Sequence, residues 1–327
     1  VLPSKDSPRK MQKPVSPVKM PAVKDATSKL SGRYQGLAKW IVGIGVALAG
    51  VYSLAGPFEP LRFTVLIGGY HANLAALIAG GAFLIASVLH GFRSIYKPES
   101  KWYSSRGLTE EIKSFVWRYA VGGTPFGKEE LSPAEADDRF SATLHGFLSK
   151  ARKERLSLPM PVVNKPLDYI TAEMKATRDS SLNEREETYA RDRILNQQVF
   201  YQKRTNKYRR LATLWNLGLI LIEAGFAIAA GLHAFGLIGL DFFGVAGTLA
   251  AAIAVWLQFS QYRALADLYS EMAFELGEFH RKCSHPAQAW DEEHWVTFVN
   301  TVENFLEAEH GAWRKLVDPD RTDNSFV

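Results

Sequence analysis

LATLWNLGLILIEAGFAIAAGLHAFGLIGL, residues Leu211–Leu240, carries one charged side chain, Glu223, in 30 positions. An α-helix rises about 1.5 Å per residue, so about 20 apolar residues cross a bilayer core. The stretch is long enough, and it is apolar all round, whereas the surface helix of a soluble domain keeps a polar face. Three further runs lack Asp, Glu, Lys and Arg altogether: Trp40–Phe58 with 19 residues, Phe63–Phe92 with 30 and Phe242–Tyr262 with 21. They predict four membrane helices, at about 37–56, 70–92, 211–232 and 242–260.

The remaining composition fits that division. The chain has 327 residues, 39 Lys+Arg against 34 Asp+Glu, 47% hydrophobic residues and one Cys. It is too hydrophobic for a disordered chain. A single Cys builds neither a disulfide framework nor a Cys-based zinc site alone. The charges crowd into the segments between the apolar runs. Residues 1–40 contain nine Lys/Arg and two Asp/Glu, so the basic balance belongs to the tail and the rest of the chain is slightly acidic.

The four runs pair into two hairpins, joined by short turns at about 57–69 and 233–241. The opposite flanks hold Arg33, Lys39, Arg93, Lys97, Lys101, Arg204, Lys207, Arg209, Arg210 and Arg263. The positive-inside rule places both termini and the central segment in the cytoplasm. A signal peptide is excluded, because the first apolar run starts late and a second follows it. The fold class expected is an all-α membrane protein: four transmembrane helices as two hairpins, with long cytoplasmic helical stalks forming a bundle.

Residues 1–32 form a basic, Pro-rich segment expected to be a disordered linker. The chain opens on Val rather than Met, an expectation of a longer protein with another domain in front. Residues 33–158 form a first two-transmembrane module and residues 159–327 a second. After the first hairpin, Leu108, Ile112, Phe115 and Tyr119 recur at helical spacing, with Arg106, Glu110, Lys113 and Trp117 as a second stripe. That stripe is either a solvated face or an inter-helix contact. Ser132-Pro133-Ala134-Glu135 is a capping box for a helix to about Lys153.

Leu167–Leu217 has no Gly or Pro, so a helix capped by Asp179 or Ser180 is expected to run straight into the third span. The fourth span is expected to continue unbroken to Leu276. The last helix, about 289–317, carries Trp295, Phe298, Val302, Phe305, Glu309, Trp313 and Leu316 on one stripe, with Glu303 and His310 one position aside. Glu309 interrupts the apolar seam and needs a partner; Arg191, Arg193 and Lys203 are the candidates.

Enzymatic chemistry has no foothold here. There is no Walker-type loop, and Gly43, Gly45 and Gly50 lie inside a membrane run and follow no strand. His280, Cys283, His285 and His294 match no standard metal-ligand spacing. Neither a cofactor nor a metal is expected, and nucleic acid is not an expected partner. Polar residues inside the membrane are the sharper signal: Asn216 and Glu223 in the third span and Gln258 near the end of the fourth. Glu223 either hydrogen-bonds a neighbouring helix or contributes to a carboxylate ring around an oligomeric pore.

Several of these residues occur together in a known pattern. Trp102-Tyr103, Arg106, Glu110, Lys113, Trp117-Arg118-Tyr119 and Pro125-Phe126 resemble the helix after the membrane hairpin in SLATT proteins, the SMODS- and SLOG-associated two-transmembrane effectors. Arg185, Tyr189, Arg193-Ile194, Gln197, Tyr201, Lys203 and Asn206 resemble the helix leading into the hairpin of another SLATT subtype. Val302-Glu303, Leu306, Glu309-His310 and Trp313 resemble that subtype's last helix. The resemblance implies a homo-oligomeric membrane effector of bacterial conflict systems, in the inner membrane, that forms a pore or channel. The trigger it implies is a nucleotide-derived signal sensed by an attached N-terminal SLOG domain, related to the cytoplasmic domain of TRPM channels. The competing expectation is a non-conducting anchor that clusters a cytoplasmic signalling domain on the lipid bilayer.

Overall fold

A computed structural model of the chain describes residues 18–55, 64–67, 69–156, 169–238, 243–285 and 289–317. It is all-α apart from one short hairpin. The first helix, α1 (Ala22–Ala55), begins directly after Pro21 and runs unbroken into the first apolar run. Residues 22–32, expected in a linker, are therefore its first three turns. The reason is local: past Pro21 the prolines stop, and Val23, Thr27, Leu30 and Tyr34 recur at steps of four and three and are buried. Residues 1–17 of the expected linker lie outside the described residues.

β1 (Thr64–Ile67) and β2 (Tyr70–Asn73) pair antiparallel, with Thr64 opposite Asn73 and Ile67 opposite Tyr70. This corrects the expected start of the second membrane helix at about 70. Thr64, Val65 and Ile67 are β-branched, and Gly69 takes φ +86°, so the local chemistry favours a hairpin. Asn73 then caps α2 (Leu74–Tyr96), its Oδ1 accepting from the Ala76 N–H at 3.2 Å.

Lys97, at φ +46°, turns the chain into α3 (Pro98–Val121), which has Pro98 in its first turn. α4 (Pro133–Lys153) starts at the expected capping box, with the Ser132 N–H and hydroxyl on the Glu135 carboxylate. α5 (Ala172–Asp179) precedes α6 (Leu182–Tyr189). The cap of α6 is Ser181 rather than Asp179 or Ser180: Ser181 Oγ accepts from the Glu184 N–H, and the Glu184 carboxylate accepts from the Ser181 N–H at 2.9 Å. Asp179 instead closes α5, and the Ser180 hydroxyl donates back to the Thr177 carbonyl at 2.7 Å.

From α6 the chain passes through a π-helical turn, Ala190–Leu195, into α7 (Asn196–Ala234), so one rod covers Leu182–Ala234, 53 residues. α8 (Phe243–Ser260) and α9 (Tyr262–Ser284) follow, then α10 (Glu292–Val317). The expected unbroken run from the fourth apolar stretch to Leu276 is interrupted at Gln261, which takes φ +48°. The two halves thus share a plan. A long helix enters the apolar region (α1, α7) and a second returns (α2, α8). A single left-handed residue (Lys97, Gln261) then starts a return helix (α3, α9) that packs on the first.

Three described helical segments, Ala22–Val51, Leu74–Val121 and Leu182–Ala234, are long and apolar enough to cross a membrane. One hydrophobic cluster joins the less apolar parts of α1, α3, α6 and α7 with α4, α5, α9 and α10. Phe115, Phe126 and Phe140 stack at its centre, with ring centroids 5.0 to 6.1 Å apart.

A left-handed conformation costs a non-glycine residue about 1–2 kcal/mol. Gln261→Gly is therefore expected to stabilise the protein by up to about 1 kcal/mol, and Gln261→Val to destabilise it. Thermal unfolding followed by tryptophan fluorescence in detergent checks both signs.

Candidate functional site

Two arrangements carry the functional argument: an ion-paired joint between the halves, and an unpartnered polar stripe on α7.

The joint is built on the end of α3. That end is buried, so its last carbonyls need donors other than water. Arg178 donates to the Tyr119 carbonyl at 3.2 Å and to the Phe126 carbonyl at 2.8 Å. Arg185 and the Trp295 indole both donate to the Val121 carbonyl at 2.8 Å. These cations also sit at the negative end of the helix dipole. Two glycines make room. Gly122 takes φ +78°, and a Cβ on Gly123 would lie 2.6 Å from the Val299 side chain of α10. Arg185 in turn pairs with Glu292 of α10.

Along the α3–α10 contact, Arg118 binds Asn300, Asn304 and Glu307, and Ser114 donates to Glu307 at 2.7 Å. Beside it, Glu303 is fully buried. Its carboxylate accepts from Arg193 at 2.9 and 2.6 Å and from the Tyr189 hydroxyl at 2.8 Å. Arg193 lies in the π-helical turn, where the widened helix carries it towards α10. Glu309 lies 3.8 Å from Arg106 of α3, in place of the expected Arg191, Arg193 or Lys203. Burial pushes the Glu309 carboxyl up to about 7, and Arg106 offsets only part of that.

The predicted contact residues divide as follows. Arg106 and Glu309 meet, and Arg193 takes Glu303 rather than Glu309. Lys113 and Glu110 pair at 2.8 Å on their own helix. Trp117 is buried edge-on to Tyr189, centroids 5.8 Å apart. So Arg106 and Trp117 meet other helices, while Glu110 and Lys113 pair along α3. The side chains of His310 and Trp313 lie outside the described residues. The roles of Arg118, Arg178 and Arg185 were missed. Asn300, Asn304 and Glu307, at steps of four and three on α10, are a sequence signal for Arg118. Arg185 stands in the family pattern without its partner being marked, and Arg178 has no signal, because the break at Ser180–Ser181 removes a common helical register.

Elsewhere, Cys283 is buried and burial pushes its thiol up to about 12. His294 pairs with Asp291 at 2.7 Å on the surface. No group of three metal-ligating side chains forms among the described residues.

On the membrane helices the picture reverses. Asn216, Glu223 and Gln258 are all exposed. None of the most apolar 18 residues of α7 is buried within the chain. Among the described residues, Glu223 has neither a hydrogen bond nor an ion pair. Asn216, Ile220, Glu223, Ala227 and Ala230 lie along one stripe of that helix at steps of four and three.

Paired apolar hairpins, each followed by a return helix packed on the first, define a two-transmembrane type of helical module. Two family models match the chain. SMODS and SLOG-associating 2TM effector domain 3 covers residues 63–186, and domain 1 of the same series covers 189–313. The chain belongs to the SLATT family, carries two of its domains in tandem, and is a membrane effector of that family. No curated protein and no solved structure matches it.

Removing one member of a buried pair strands the other charge, a loss of about 3–5 kcal/mol. Glu303→Leu is expected to cost that much, and Arg193→Met with Glu303→Leu much less. Chemical unfolding of the two variants side by side checks the difference. The raised Glu309 carboxyl gives a pH dependence of definite sign. Its contribution is fully present below the unfolded value of 4.5 and is lost as pH rises through about 7. Glu309→Gln should flatten the fall in thermal midpoint between pH 5 and pH 8.5, an effect on the order of 3 kcal/mol.

Proposed function

We propose that the protein is an oligomeric channel or pore-forming effector whose subunits meet along the Glu223 stripe of α7. The observation that carries this reading is Glu223 itself, exposed and unpaired halfway along an apolar helix. A carboxylate facing hydrocarbon costs several kcal/mol, so intramembrane acids face a bundle interior or a water path. Among the described residues Glu223 meets no such interior, and a second copy supplies one. Ala227 and Ala230 on the same stripe favour close helix approach. A ring of carboxylates around the axis favours cations.

In this reading α8 is the fourth span beside α1, α2 and α7. Both termini and the α3–α6, α9 and α10 bundle lie in the cytoplasm, on the side of Arg93, Lys97, Lys207 and Arg263. The membrane is the bacterial inner membrane. The effector acts on the bilayer rather than by catalysis. The family's association with SMODS and SLOG domains supports a trigger that is nucleotide-derived and sensed by an attached cytoplasmic domain. The Arg118, Arg185 and Glu303 contacts are a rigid route for that signal into α7.

Two measurements test the reading. The native Cys283 is buried, so Ala227→Cys should form inter-subunit disulfides under mild oxidation, with little background in the parent. Protein in liposomes, with the sensor-bearing partner and its nucleotide-derived ligand, should pass monovalent cations. Glu223→Gln should cut cation over anion preference about tenfold, the scale of 1.4 kcal/mol. Cross-linked oligomers without flux would favour the non-conducting anchor, and a monomer in detergent would remove both readings.

A further inference from the structure

A groove of about 400 Å³ runs between α1, α2 and α8. Small side chains make the space: Gly45 and Ala49 on α1, Ala86 on α2, Ala251 and Ala252 on α8. A Cβ added to Gly45 would meet nothing within 4 Å. Nearer the far end of α1 the helices close up, and a Cβ on Gly50 would touch Leu249 of α8 at 3.9 Å. The lining runs from Ile41 to Ala49, roughly 12 Å along α1.

The chemistry of the lining is uneven. Thr248 is its polar side chain at the closed end, where α8 begins. His90 and Arg93 lie at the other end, beside the α2–α3 turn. Arg93 gives its Nε–H to Glu99 at 2.7 Å, which leaves both terminal nitrogens of its fork. That fork suits phosphate oxygens. Arg93 is the lining cation; Lys97 follows it in the α2–α3 turn, and Lys101 lies over the Tyr96 ring, 3.5 Å from its centroid.

We propose that this groove binds one acyl chain of an anionic phospholipid, with the lipid phosphate at Arg93 and His90. An apolar slot admits the chain, and a cationic mouth selects the headgroup. A helix from a second copy is the competing occupant, and Arg93 at the mouth favours an anionic headgroup over it. The proposal rests on the membrane placement given above, but not on conduction.

Native mass spectrometry of the full chain in mild detergent tests it, with phosphatidylglycerol and phosphatidylcholine of identical acyl chains as probes. Phosphatidylglycerol is expected to be retained in preference. Gly45→Leu fills the slot and should weaken retention about tenfold. Gly80→Leu, on an exposed part of α2 outside the groove, should leave it unchanged. Arg93→Gln should reduce the preference for phosphatidylglycerol about fivefold, the scale of one cation at an anionic surface. If Gly45→Leu does not fold, Ala86→Leu fills the same slot. Equal retention of the two lipids, or equal retention by Gly45→Leu and Gly80→Leu, overturns the proposal. So does a change of oligomer mass in Gly45→Leu with the lipid count intact. Because lipid is counted by mass, absent flux with lipid retained counts against the pore alone. Flux with no lipid preference counts against this site alone.

Discussion

A helix that ends inside a protein must have its last carbonyls answered by donors other than water, and α3 ends in the middle of the fold. Its donors come from α5, α6 and α10, through Arg178, Arg185 and Trp295. This requirement ties the first half of the chain to the second. Arg185 can reach Val121 only if α6 lies against α3, and Trp295 only if α10 lies on the other side. Gly122 and Gly123 are the residues that permit both approaches. Once α10 is placed, Arg118 finds Asn300 and Asn304, and Glu303 is carried into contact with Arg193 and Tyr189.

The joint is polar where a simple core would be apolar. Buried pairs of this kind add little net stability over hydrophobic replacements, but they penalise every arrangement in which one charge is left alone. The pairings Arg193–Glu303, Arg118–Glu307 and Arg106–Glu309 fix α10 against α3 and the π-helical turn, because a shifted partner strands several charges at once. The same rigidity is what the proposed signal route from α6 to α7 requires.

The membrane end has the opposite character. The residues of α7 that look outward are large and apolar, as at Leu214, Leu217, Leu221 and Ile228, yet Glu223 lies among them. Within a single chain this is an unresolved cost. It is the reason for reading the chain as one part of an assembly, with a stripe that waits for copies of itself. The groove of α1, α2 and α8 differs, since Arg93 lies at one end of it and its walls are mostly carbon.

Much of this was legible in the residues. The length and uniformity of the apolar runs mark out helices 1.5 Å per residue at a time, and the capping box at Ser132 is a local motif that needs no distant partner. Family membership was legible too, because Trp102, Arg106, Trp117, Arg193 and Glu309 recur at spacings that survive without coordinates. Three things were hidden. The hairpin at 64–73 competes with a helix of equal hydropathy, and hydropathy does not separate them. The break at Gln261 has no Gly or Pro beside it to announce it, whereas Pro98 marks the one at Lys97. The choice of Arg106 for Glu309 and Arg193 for Glu303 is decided by how α3 and the π-helical turn meet α10. Sequence by itself determined which stretches are apolar enough to cross a membrane, because that is a property of composition. Which charge answers which, and that Glu223 has no partner among the described residues, only the tertiary structure decided, because pairing depends on distances between helices far apart in sequence.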